Sequence, residues 1–141
     1  MEDALTFLKS RDRFEREVRE RLDSRGHGSE VIDLVVSHLI RRKLIEDRRT
    51  TQNLVARMSG KRAAGVEKLR AELNRRGAPE EIIEECLAEL SPVQQRKAML
   101  DALSAKFKPA DDRVRGARFL LSRGFVDDEI EGPLDEFFRQ D

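Results

Sequence analysis

The most distinctive chemical feature of the sequence is the concentration of cationic side chains in its middle. Residues 41–76 hold twelve Lys or Arg against four Asp or Glu, whereas residues 1–40 hold seven against nine. Such a segment attracts anions, which favours binding to nucleic-acid phosphate or to an acidic protein surface. The candidate binding residues are Arg41, Arg42, Lys43, Arg48, Arg49, Arg57, Lys61, Arg62 and Lys68, with Arg70, Arg75 and Arg76 in a wider set. The alternative is a solvated face whose cations pair with nearby acids such as Glu67 and Glu72.

The C-terminal part of the chain has the opposite charge. Residues 77–141 hold nine Lys or Arg and fifteen Asp or Glu. Six of these acids form a cluster near the end: Asp127, Asp128, Glu129, Glu131, Asp135 and Glu136. They could imitate a phosphate track or contact a basic partner, or they could simply stabilise the start of a helix through its dipole.

Residues suited to catalysis or metal binding are few and isolated. His27 lies between two glycines, which predicts an exposed loop residue, and His38 has no second ligand at metal-binding spacing. Cys86, the single cysteine, occupies an apolar position of a helical pattern, so we expect it to be buried. The sequence contains no Gly-rich phosphate loop and no nucleophile motif. It therefore predicts a protein that is not an enzyme and has neither a cofactor nor a metal.

The composition indicates a soluble helical protein with much surface. Of the 141 residues, 40% are charged and 38% are hydrophobic, and the formal net charge is zero. Apolar residues recur at helical spacing, which argues against disorder. No apolar run is long enough for a membrane span, and the acidic start Met1-Glu2-Asp3 is unlike a secretory signal. We expect a cytoplasmic protein that is a monomer and does not bind membranes.

A pattern repeated along the chain shows how its helices are organised. Leu22 with Arg25-Gly26 recurs 51 residues later as Leu73 with Arg76-Gly77, and a third copy, Leu120 with Arg123-Gly124, follows after 47. A fixed period near 50 residues indicates a repeated supersecondary unit. The sequence therefore predicts an all-α fold in which three tandem three-helix repeats, residues 1–43, 44–90 and 91–141, form an elongated, curved array. The three leucines are predicted core positions.

Several helix ends are predicted from local chemistry. Gly26 should stop a helix in the left-handed conformation, and Gly77 should do the same in the second unit. Ser29 should cap the helix that follows Gly26, and Pro79 should open another at its first turn. Ser91 with Gln94 forms a capping-box signature. Pro133 conflicts with a helix over 127–138, so that helix either begins near Pro133 or is kinked there.

With these residues in this order, the chain resembles the RecX family of bacterial RecA regulators. The matching segments are Glu20-Arg21-Leu22 with Arg25-Gly26, Val31-Ile32 with Leu39, Lys43 to Arg48, Gly65 with Leu69 to Leu73 and Arg76-Gly77, Glu81 to Ile83, Lys106-Phe107, and Phe119 to Phe125 with Ile130. The specificity comes from their order and spacing over nearly the whole chain, since no single segment is chemically unique.

The resemblance implies a function by occupancy. It implies binding to the RecA recombinase filament, with the cationic middle unit near DNA phosphate or acidic RecA surface, and inhibition of recombinase activity in DNA recombination, DNA repair and the SOS response. Two alternatives stay open at this stage. One is a direct nucleic-acid-binding helical module, although aromatics are only 5% of the chain. The other is a helical-repeat interaction module that binds protein without nucleic acid.

Overall fold

The protein is helical throughout the residues that the structure, a computed structural model, describes, which are 1–139. Its helices are α1 (Glu2–Ser10), α2 (Glu15–Ser24), α3 (Ser29–Arg41), α4 (Asp47–Arg57), α5 (Val66–Arg76), α6 (Glu80–Ala88), α7 (Pro92–Lys106), α8 (Arg113–Ser122) and α9 (Asp127–Phe137). A 3-10 turn, Gly60–Arg62, lies between α4 and α5. This part of the chain contains no strand, and the predicted all-α class is confirmed.

Three hydrophobic cores follow one another along the chain. The first contains Ala4, Val18, Leu22, Ile32, Val35, Val36, Leu39 and Ile45. The second contains Phe14, Leu54, Ala64, Leu69, Leu73, Ala78, Ile83 and Leu87. The third contains Ala63, Met99, Ala102, Leu103, Phe107, Leu120, Phe125, Ile130, Leu134 and Phe138. The second and third cores each take one side chain, Phe14 or Ala63, from the preceding segment, so packing is continuous across the repeats. The boundaries at residues 43 and 90 stay predictions.

The glycine of each repeated Arg-Gly pair follows a helix end, as predicted for Gly26 and Gly77. Gly26, Gly77 and Gly124 have φ angles of 85°, 100° and 86°, which is the left-handed region that favours glycine. The Gly77 amide donates to the carbonyl oxygen of Leu73 at 3.1 Å, which satisfies an otherwise unpaired helix-end acceptor. Leu73 is completely buried.

The arginine of each later pair joins its repeat to the one before. Arg76 donates to Glu17 Oε1 at 3.0 Å and to the carbonyl oxygen of Asp12 at 3.0 Å, both in the first repeat. Arg123 donates to the carbonyl oxygen of Ala63 at 2.6 Å, in the second repeat. The same sequence position therefore forms a clamp between successive repeats.

A close backbone contact reinforces the second of these junctions. The amide of Gly65 donates to the carbonyl oxygen of Arg123 at 2.8 Å, and the amide of Glu67 donates to that of Gly124 at 3.2 Å. A Cβ atom on Gly65 would collide with the backbone of Gly124 and Phe125. Only glycine permits this approach without a shift of the chain.

The helix starts agree only in part with the local signals. Ser91 accepts from the Gln94 amide at 3.1 Å, and the Gln94 side chain accepts from the Ser91 amide at 2.8 Å, so the predicted capping box is confirmed. The prediction for Ser29 was wrong, because Ser29 is already helical and Gly28 is the extended residue before it. Pro79 is also one position earlier than predicted, as the extended N-cap of α6.

Pro133 lies inside α9 rather than at its start. The helix begins at Asp127 and continues to Phe137, so an origin near Pro133 was wrong. Proline lacks an amide proton and cannot supply the intrahelical hydrogen bond to Glu129 four residues earlier. Pro133 itself is buried, as are Ile130 and Leu134 on the same helix. Burial of this apolar face offsets the missing hydrogen bond.

The amount of exposed surface indicates an extended arrangement of the repeats. The accessible surface is 8912 Å², compared with roughly 7,500 Å² for a compact monomer of this mass. A compact chain of 141 residues has a radius of gyration of roughly 14 Å. Small-angle scattering of the purified protein should give a radius clearly above that value, about 16 Å or more. A result near the compact value would contradict the extended array.

Candidate interaction surface

A cationic cleft lies where the first and second repeats meet. Its lining residues are Arg11, Leu54, Arg57, Met58, Arg62, Lys68, Glu72 and Arg76, and its volume is about 260 Å³. Five of the eight side chains are basic and one is acidic. Three of the nine candidate residues, Arg57, Arg62 and Lys68, converge here. We call this the junction cleft.

Local structure explains why these side chains converge. Arg57 is the last residue of α4, Arg62 closes the 3-10 turn, and Lys68 lies in the first turn of α5. The 3-10 turn between α4 and α5 brings three residues that are 5 and 6 positions apart to one cleft. Leu54 and Met58 supply the apolar part of the cleft lining.

Arg11 was missed by the sequence analysis. It belongs to the linker between α1 and α2, in a segment with more acidic than basic residues. Burial, and then the positive charge of the neighbouring Arg11, lower the pKa of Arg13 in the same linker. No spacing signal links Arg11 to Arg57, because a contact over 46 residues is decided by how the two repeats pack.

The junction cleft keeps most of its positive charge unneutralised. Within residues 1–139, none of Arg11, Arg57, Arg62 and Lys68 forms an ion pair. Glu72, the acidic residue of the lining, accepts a hydrogen bond from Arg75 at 2.5 Å, which lowers the pKa of Glu72. Its carboxylate is therefore already paired with an arginine that does not line the cleft. An anion that enters the cleft would therefore meet four cations and one carboxylate that is already paired.

Arg76, which belongs to the wider candidate set, has a structural role in the junction between the first two repeats. Its side chain is 4% exposed and bound to Glu17, whose side chain is 15% exposed. Interpreting it as an available cation was wrong, because its charge is already compensated inside the repeat junction. Arg70 and Arg75 are likewise paired, with Glu84 and Glu72 respectively.

The remaining candidates lie apart from the junction cleft. Arg41 and Arg42 are exposed at the end of α3, and Lys43 follows in a left-handed conformation with φ of 60°. Arg48 pairs with Glu85, and this hydrogen bond raises the pKa of Arg48. Lys61 is exposed in the 3-10 turn but does not line the cleft. Arg49 pairs with Glu46 at 3.4 Å and donates to the carbonyl oxygen of Lys43 at 2.9 Å. The nine candidates therefore do not form one surface.

A second cleft close to Lys43 and Arg48 contains both signs of charge. Its lining includes Glu15, Glu46 and Asp47, and its volume is about 390 Å³. Asp47 accepts a hydrogen bond from the amide of Glu15 at 2.9 Å, and burial raises the pKa of Asp47. Three acidic side chains outnumber the two basic ones, Lys43 and Arg48, so this cleft is a weaker anion site than the junction cleft.

The histidine and cysteine side chains have structural roles. His27 lies in a loop, as predicted, but it is half-buried rather than exposed, because its Nε2 lies 2.9 Å from Asp3 Oδ2. This hydrogen bond lowers the pKa of Asp3 and joins α1 to the loop after α2. Cys86 is 4% exposed, as predicted, and burial raises the pKa of its thiol. A raised thiol pKa opposes formation of the reactive thiolate.

Residues 1–139 contain neither a metal site nor a membrane-spanning helix. Within that range, no three His, Cys, Asp or Glu side chains converge in a way that could hold a metal ion. None of the helices described there has the length and apolar character that crossing a bilayer demands.

The fold and the junction cleft define a class: an all-α helical-repeat protein with a partly cationic surface. A family model described as "RecX, first three-helix domain" matches residues 1–39. The chain is 33% identical to a regulatory protein RecX of Chlorobium phaeobacteroides, covering 96% of this chain and 91% of that protein. It is 35% identical to that of Chromohalobacter salexigens, covering 92% and 86%. The chain belongs to the RecX family.

Solved structures agree with this assignment at the level of the fold. The crystal structure of RecX from Lactobacillus salivarius superimposes with a TM-score of 0.82 at 23% identity, covering 95% of this chain and 91% of that one. A second RecX crystal structure gives 0.76 at 21% identity, covering 93% and 69%. The helical repeat array is therefore shared with experimentally determined members of the family.

Proposed function

We propose that this protein binds the RecA–DNA filament in the cytoplasm as a monomer and inhibits its recombinase activity. The observation that carries the proposal is the junction cleft, where Arg11, Arg57, Arg62 and Lys68 have no ion-pair partner within residues 1–139. The names of the relatives, regulatory protein RecX, support a regulator rather than an enzyme.

The proposed mechanism is occupancy of the filament surface. The junction cleft would receive DNA phosphate or a carboxylate-rich RecA surface, since arginine binds both with paired hydrogen bonds. The repeats on either side would then extend along neighbouring subunits, because an extended array spans more of a filament than a compact domain does. A protein bridging subunits in this way hinders filament growth and strand exchange without any chemical step.

Charge reversal in the junction cleft tests this mechanism. We expect Arg57→Glu with Arg62→Glu to weaken binding to RecA assembled on single-stranded DNA by about tenfold or more, because two charge contacts of up to roughly 1 kcal/mol each are replaced by repulsion. The salt dependence of binding should become shallower, since fewer cations meet the filament. Both residues are exposed, so circular dichroism and the melting temperature should stay unchanged.

A matched control keeps the net charge change constant. Lys9→Glu with Arg25→Glu also reverses two exposed cations, and neither residue lines the junction cleft. This control should bind filaments as the parent does. Equal loss in both double variants would mean that binding depends on overall charge, and equal binding of the cleft variant and the parent would remove the cleft from the interface.

Three binding targets separate the proposed function from its alternatives. The parent protein should bind RecA–DNA filaments more tightly than RecA without DNA or DNA without RecA, and it should slow strand exchange. Equal binding to DNA with and without RecA would favour a direct nucleic-acid module. Equal binding to RecA with and without DNA would favour a protein-interaction module.

A further inference from the structure

A second cationic cleft lies on the third repeat, between the end of α7 and the outer face of α8. Its lining residues are Lys106, Phe107, Arg115, Arg118, Phe119 and Ser122, and its volume is about 370 Å³. Three of these side chains are basic, two are aromatic and none is acidic. We call this the α7–α8 cleft.

The sequence gives no sign of this cationic cleft, because acidic residues outnumber basic ones in residues 77–141. Folding places the acids of α9 against other cations: Arg113 pairs with Glu131 at 2.6 Å and with Asp135 at 2.8 Å, and Arg96 pairs with Glu136. These ion pairs do not involve the cations of the α7–α8 cleft. Within residues 1–139, Lys106, Arg115 and Arg118 form no ion pair, and all three are exposed.

The aromatic side chains hold these cations in place. Phe107 and Phe119 pack edge to face with their ring centroids 5.6 Å apart. Lys106 Nζ lies 4.7 Å from the Phe119 centroid, and Arg115 Cζ lies 6.0 Å from that of Phe107. Attraction between a cation and the ring face restricts both long side chains. The cleft therefore presents positive charge directly beside phenyl surface.

We propose that the α7–α8 cleft binds single-stranded nucleic acid, with Arg115 and Arg118 on successive phosphates and Phe119 against a base. Arginine binds phosphate through paired hydrogen bonds, and these two residues lie one helical turn apart on α8. Single-strand binding sites combine a cationic track with aromatic surface. An acidic peptide would use the cations alone, so the aromatic half of the cleft favours the nucleic acid.

This proposal is independent of the junction cleft and of RecA. The sequence contains only seven Phe and no Trp or Tyr, and folding brings two of those seven to one cationic cleft. A nucleic-acid contact on the third repeat would give the protein two separate anion-binding surfaces. One is the junction cleft between the first two repeats, and the other is the α7–α8 cleft. Binding to DNA without RecA would then be measurable, although weaker than binding to filaments.

The test uses the full chain and a fluorescently labelled single-stranded oligothymidylate of about 20 nucleotides, followed by anisotropy. Arg115→Gln with Arg118→Gln should raise the Kd about tenfold or more. Because each phosphate contact on a single strand contributes roughly 0.7 to the salt slope, the slope should fall by about 1.4. Arg113→Gln is the matched control, since it removes an arginine of the same helix that is already paired with acids. It should leave the Kd unchanged.

A second variant separates nucleic acid from an acidic protein partner. Phe119→Leu keeps apolar volume in the cleft but removes the ring, and should weaken oligonucleotide binding several-fold with the salt slope unchanged. Polyglutamate should compete poorly at equal charge. The proposal is overturned if the parent does not bind the oligonucleotide, if the double variant binds it equally well, or if polyglutamate competes fully and Phe119→Leu has no effect. None of these results would alter filament binding through the junction cleft, which is measured separately.

Discussion

Replacing Arg76 with alanine is expected to lower the free energy of unfolding by about 3–5 kcal/mol, the largest single effect of charge in the protein. Arg76 is 4% exposed and bound to Glu17 across the junction of the first two repeats. Removing one partner of a buried ion pair leaves the other charge desolvated and unpaired. The Asp12 carbonyl oxygen would also lose its donor. Urea unfolding at neutral pH, followed by circular dichroism, measures the change.

Neighbouring variants show whether burial is the reason. Arg75 is an exposed arginine paired with Glu72, so Arg75→Ala should leave the unfolding midpoint almost unchanged. Glu17→Gln in the Arg76→Ala background should recover part of the lost stability, because it removes the unpaired carboxylate. The glutamine can still accept from the Phe14 amide, as Glu17 does at 2.9 Å. Equal effects of Arg75→Ala and Arg76→Ala would contradict the clamp.

Replacing Leu73 with alanine is expected to cost about 2–5 kcal/mol. Leu73 is completely buried in the second core, beside Leu69 and Ile83. Truncation removes apolar burial and leaves a cavity that close-packed neighbours can fill only in part. Because the surface exposed on unfolding hardly changes, the urea midpoint should fall while the slope of the transition stays the same.

Leu34 provides the control for this substitution. It lies on α3 and is 72% exposed, so Leu34→Ala removes the same atoms from a site where they are already in water. We expect a change of about 0.5 kcal/mol or less. A loss at Leu73 no greater than at Leu34 would mean that the repeat alignment does not identify the core.

Features decided within one or two helical turns could be predicted from the sequence. The left-handed glycines and the Ser91 capping box depend on residues no more than a few positions apart, and the structure contains them. Leu22, Leu73 and Leu120 are buried for a similar reason, since helical spacing fixes which face of a helix is apolar. The errors at Ser29 and Pro79 were shifts of one position, because helix ends fray and several nearby residues can serve as caps.

Charge was harder to interpret than apolarity. In the sequence, the cations of residues 41–76 form one group, but the structure divides them. Arg76 is buried, Arg48 pairs with Glu85, and Arg57 lies in the junction cleft. Their local sequence settings are alike, with other charged residues nearby. Whether a cation is paired depends on which acids the fold brings next to it. The acids that pair with Arg48 and Arg76 are 37 and 59 residues away in the sequence.

The sequence by itself determined the helical class, the repeat period and the leucines of the core, since each rests on spacing along one chain segment. Only the tertiary structure decided which charges remain unneutralised. Arg11 joins the junction cleft because two repeats pack against each other. Among the residues that the structure describes, Arg115 and Arg118 have no ion-pair partner, because the acids of α9 contact Arg113 and Arg96 instead. Apolar burial follows a local period, whereas the pairing of charges depends on contacts between distant segments, and so neither cationic cleft could be located from the sequence alone.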